Sequence, residues 1–165
     1  VYDGRQTRLF ESKRTHENLL AIFKKIEKIS EDGLNNTSVT ESAARSLQLL
    51  HKRIGRRAIV FVIGSFENSE QSYEREIARL AKNNEVFVIN VFDILEEKAP
   101  PAGEYMAQYG GQKQLIVSGG RFFQENYRQY FIQKRQNIRK FCAKFNCRYR
   151  EIRTDLPIYE HLRPV

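Results

Sequence analysis

Apolar residues recur along this chain with two different spacings. From Ala58 to Phe66, "AIVFVIGSF", β-branched and aromatic residues run together until Gly64 and Ser65. A run this apolar predicts a strand buried on both faces in a parallel sheet, with Ser65 at the carboxyl end where open α/β folds place ligands. Glu85 to Phe92 predicts a second buried strand through Val86, Val88, Ile89 and Val91, and Gln114 to Ser118 and Arg148 to Ile152 predict two more. Between them the spacing becomes helical. Leu19, Leu20, Phe23 and Ile26 share one face of a helix over Thr15 to Ser30, a face expected to cover a sheet. Ala43, Ala44, Leu47, Leu50 and Ile54 mark a second helix, opened by Ser38 and Glu41 at capping-box spacing and closed by Gly55. Tyr73, Ile77, Leu80 and Ala81 mark a third over Ser69 to Asn83, and Phe122 to Phe145 forms a long fourth.

The joints follow from turn chemistry. Asp3-Gly4 between β-prone flanks reads as the end of a hairpin, and Asp93 to Gly111, carrying Pro100-Pro101, reads as a long connection without a helix through its middle. Gly119-Gly120 is a turn, and Thr154-Asp155-Leu156-Pro157 caps a short final helix. Strands alternating with helices predict a mostly parallel sheet in a single α/β domain spanning residues 1–165. The length and the 41% apolar share suit one packed core. No apolar run is long enough to cross a bilayer, and the N-terminus has no signal-peptide pattern. Since Val1 falls inside an expected element, the chain reads as an excerpt of a longer protein, whose upstream part can still carry such a segment. Cys142 and Cys147 have neither disulfide-framework nor zinc-ligand spacing, which predicts a reduced pair and a cytoplasmic location. His16, His51 and His161 are scattered without metal-type pairing.

Several segments in this order carry a resemblance. They are "TSVTESAARSL" (Thr37 to Leu47), "RRAIVFVIGSF", "YEREIARLAKNNEVFVINVFDILEEKAPPAG", "QLIVSGG", "NYRQYF" and "IRTD". Together the chain resembles the second half of a bacterial von Willebrand factor A-like domain, of the uncharacterised family encoded beside MoxR-type AAA+ ATPases. The resemblance implies a Rossmann-like, mostly parallel sheet flanked by helices, lacking the usual first, central strand in this excerpt. It also implies a strand edge left unpaired beside Ala58 to Ile63, and hence self-association through that edge.

The resemblance further implies the remains of a metal-ion-dependent adhesion site. In that fold an Asp-x-Ser-x-Ser loop, a threonine and an aspartate hold Mg²⁺ or Mn²⁺, hard cations that take oxygen ligands and carboxylate charge. Thr37 matches the threonine, but no Asp-x-Ser-x-Ser occurs, and Gly64-Ser65-Phe66 stands where relatives carry Ser-Asp-Phe. Thr37 and Ser65 are thus expected to form a degenerate site, weak or empty, with loop and helix-cap chemistry as the alternative. No cofactor is expected unless upstream ligands exist.

Charge changes the picture more. The chain has 28 basic and 20 acidic residues, and Arg121 to Arg150 holds nine Lys or Arg against one acid, Glu125, so this segment equals the whole +8 excess. At about 100° per residue, Tyr127, Phe131, Ile138, Phe141, Cys142 and Phe145 share one face of the long helix, and Arg121, Arg128, Arg135 and Arg139 line its flank. Such a stripe suits local pairing with Glu96, Glu97 or Glu151, an acidic protein partner, or nucleic acid, in that order. Most aromatic residues fall on the core face, away from bases. Catalysis is not expected. Gly119-Gly120 lacks a phosphate-loop pattern, and Asp93 and Asp155 read equally as a carboxylate pair or as helix caps. The chain is therefore expected to be a non-catalytic binding module. The resemblance implies an adapter or substrate-recognition role with a MoxR-type AAA+ ATPase and an unknown client; a basic nucleic-acid-binding domain is the alternative.

Overall fold

The computed structural model describes residues 1–2, 7–10, 13–33, 43–66, 71–109 and 112–161. The chain divides into two compact units, Val1–Arg53 with Tyr109–Gln112, and Ile54–Gln108 with Lys113–Val165.

In the first unit Tyr2 and Thr7 form an antiparallel bridge, extended by hydrogen bonds exchanged between Val1 and Arg8. The expected Asp3-Gly4 turn between them lies outside the described residues. Helix α1, His16–Gly33, starts where predicted, with the Thr15 hydroxyl accepting from the Asn18 N–H as an N-cap does. Helix α2, Ala43–Arg53, buries Ala44 and Leu47, and Ser46 shares a 2.6 Å hydroxyl hydrogen bond with Thr7. The Ser38 and Glu41 capping pair lies outside the described residues. Leu19, Leu20, Phe23 and Ile26 of α1 are exposed, with no sheet of their own unit to cover among the described residues.

The second unit is built on a parallel sheet of three strands. β1 is Ile59–Gly64, β2 is Glu85–Phe92 and β5 is Arg148–Arg153, in the order β1-β2-β5. Helix α3, Gln71–Ala81, crosses from β1 to β2 and buries Ile77 and Leu80, while the 24-residue α5, Arg121–Lys144, packs on β5 and buries Phe131, Ile138 and Cys142. Both helices serve the same sheet face, which presents Val60, Val62, Val86, Val88 and Phe92. The architecture is mixed α/β with a parallel sheet flanked by helices. β1 itself departs from the expected two-sided burial. Ile59, Phe61 and Ile63 are 61, 57 and 64% exposed, since an apolar run signals what a strand tolerates and not how many faces are covered.

The predicted irregular connection after Asp93 also holds more order. Helix α4, Ile94–Glu97, is a single turn, and β3, Glu104–Tyr109, pairs with β4, Gln112–Val117, in a separate two-stranded sheet. β4 therefore is not a strand of the parallel sheet. Two residues separate it from β3, too few for a parallel crossover, so it pairs locally. Ser118 ties this ribbon down, its N–H donating to Gly103 O at 2.9 Å and its hydroxyl to Pro101 O at 2.5 Å. Helix α6, Ile158–His161, follows Pro157 as predicted.

The C-terminus of α5 explains the cysteine pair. Asn146 takes a left-handed φ of 54°, Asn146 N–H bonds Ala143 O, and Cys147 N–H bonds Cys142 O at 2.8 Å. This is a Schellman ending, whose usual apolar contact joins the two positions held here by cysteines. Both thiols are free and buried, and burial pushes Cys142 up to about 12, with Cys147 and Glu74 adding to it. They pack as small apolar groups rather than reactive thiolates.

One-sided burial of β1 has a direct test. Val62→Ala should cost about 2 kcal/mol in urea unfolding, whereas Ile63→Ala next to it should cost under about 1 kcal/mol despite losing more atoms. Equal large losses would mean that both faces are covered.

Candidate functional site

The carboxyl ends of the parallel strands meet loops rich in polar groups. At the end of β1, Ser65 is exposed, and the adjacent Phe66 N–H reaches Asn90 Oδ1 at 3.4 Å. Asn90 is buried within β2. Thr37 lies outside the described residues. Among the described residues no three His, Cys, Asp or Glu side chains gather as a metal-holding group. The described donors near Ser65 are a neutral hydroxyl and an amide oxygen already engaged by Phe66, which do not make the charged oxygen set that Mg²⁺ or Mn²⁺ takes.

At the end of β2, Asp93 caps α4. Its Oδ1 accepts from Leu95 N–H at 2.8 Å, and Glu96 returns a bond to the Asp93 N–H at 2.9 Å, a reciprocal capping box. Asp93 Oδ2 accepts from the Thr154 hydroxyl at 2.9 Å, which ties β5 to the same corner. The Leu95 N–H and then the Thr154 hydroxyl hold the Asp93 carboxyl below its ordinary range. Asp155 instead accepts from Arg153 Nε at 2.6 Å. Both aspartates thus have structural partners, and of the two alternatives left open by the sequence, capping describes Asp93.

The arginine flank of α5 does not act as one stripe. Arg135 makes a bidentate pair with Glu151 through Nε at 2.9 Å and through Nη2, and its guanidinium lies 5.6 and 5.4 Å from the rings of Phe92 and Phe131. Arg139 reaches the same carboxylate at 3.2 Å and stacks over Tyr149, whose hydroxyl donates to Glu151 at 2.8 Å. Lys134 pairs with Glu96 at 3.4 Å, and Glu97 lies within 4.0 Å of Arg135 and 3.5 Å of Arg153. Half of the predicted partner-binding set consequently pairs with an acid the sequence had offered, Arg135 folded inward and Arg139 with its side chain still 57% exposed. Arg121 and Arg128 differ. Both are exposed, and among the described residues neither makes an ion pair.

Geometry explains the division. A helix of 24 residues is about 36 Å long and a strand of six about 20 Å, so the amino-terminal half of α5 overhangs β5 and its only acid, Glu151. On that overhang Phe122 and Tyr130 are 81 and 66% exposed beside the two free arginines. The sequence reading placed the aromatic residues of this helix mostly on the core face and missed these two. Their helical phase was the available signal, since neither falls with Phe131, Ile138 and Cys142.

Burial disfavours the charged form of Glu151, but the hydrogen bonds from Arg135 and Tyr149 and the charges of Arg135 and Arg139 outweigh it and hold the carboxyl below its usual value. Burial first, then Glu151, pushes Tyr149 upward.

Comparison with protein families adds one finding. A family model described as "Protein of unknown function DUF58" matches residues 1–139. The chain belongs to this family. No curated protein matches the chain, and neither does any solved structure. The match runs through both units and most of α5, so this DUF58 chain carries the Arg121 to Arg139 flank within its family region. Among the described residues no helix is long and apolar enough to cross a membrane.

The Glu151 cluster has a signed pH signature. Because its carboxyl is held low, its contribution is complete at neutral pH and fades as pH falls from the ordinary 4.5 through the lowered value. Glu151→Gln should cost about 1–3 kcal/mol in urea unfolding at pH 7, and the gap to wild type should narrow as the pH falls below 4.5.

Proposed function

We propose that this DUF58 chain is a non-catalytic protein-interaction module of von Willebrand factor A type. It serves as a cytoplasmic adapter or substrate-recognition partner of a MoxR-type AAA+ ATPase, and its adhesion-type metal site at Thr37 and Ser65 is degenerate. The ATPase partnership rests on the sequence resemblance. The observation that supports an interaction role is the overhang of α5, where Arg121 and Arg128 stand exposed next to Phe122 and Tyr130. Arginine with exposed aromatic rings is the side-chain mixture that carries most energy in protein interfaces, the rings giving area at low entropy cost and the guanidinium a planar fork for carboxylates. An acidic patch on the ATPase is the matching surface.

A basic nucleic-acid-binding domain is the second reading, favoured by the same rings, which are free to stack on bases, and by the +8 charge. It requires retention on heparin and a steep loss of affinity with salt for any sequence.

Arg121→Glu combined with Arg128→Glu should slow association with the ATPase about tenfold at low salt and flatten its salt dependence, read by surface plasmon resonance with and without EDTA. Arg135 is unsuitable for this test, since changing it breaks the Glu151 pair. Unchanged association removes the overhang from the interface. Tight binding to single-stranded DNA, lost in the same variant while the ATPase is ignored, selects the second reading.

A further inference from the structure

We draw no further inference here: the strongest candidate, the face of the parallel sheet that presents Ile59, Phe61 and Ile63 of β1, carries nothing, because nothing in the structure shows what covers it.

Discussion

Glu151 stands where the covered face of the sheet meets α5, and its carboxylate accepts from Arg135, Arg139 and Tyr149 together. A half-buried carboxylate is costly unless its lone pairs are filled, and here three side chains from a helix and a strand fill them. The cluster sets the rotation of α5 about its own axis. With Arg135 held against Phe92 and Phe131, the helical repeat turns Phe131, Ile138 and Cys142 inward and leaves Phe122 and Tyr130 outward. Glu97 and Asp93 carry the same ionic order to the neighbouring corner, where α4, β2 and β5 meet.

That rotation commits α5 to one face of the sheet. α3 commits to the same face through Ile77 and Leu80, so both long helices of this unit pack on one side of the sheet. β3 and β4 do not join it, because they satisfy each other in a ribbon of their own.

For function, the division of the basic segment matters more than its total charge. Arg135 and Arg139 are engaged by Glu151, and Arg121 and Arg128 stand exposed with no ion pair among the described residues. A long helix that exceeds its strand creates this difference without any change in sequence composition along its flank. The interaction role proposed for the overhang thus rests on the part of α5 that β5 does not reach.

Much of this was legible in the sequence. The strands at Glu85–Phe92 and Arg148–Arg153, the helices at His16–Gly33, Gln71–Ala81 and Arg121–Lys144, and the core positions Ile77, Leu80, Phe131 and Ile138 follow from spacing, because a period of 3.6 or a continuous apolar run is a local property. The acids Glu96, Glu97 and Glu151 were recognised as possible partners of the arginines, since charge is also local. What spacing does not encode is distance between elements. The ending of α5 at Asn146, which brings Cys142 and Cys147 together, depends on one left-handed residue, and the pairing of β4 with β3 depends on competition between partners. The sequence by itself determined most of the helices and strands, though not α4 or β3, and where positive charge accumulates, because those depend on neighbours a few residues apart. Only the tertiary structure decided which face of β1 meets α3 and α5 and which arginines remain without an acid, because the first depends on how separate elements pack and the second on how far α5 extends past Glu151.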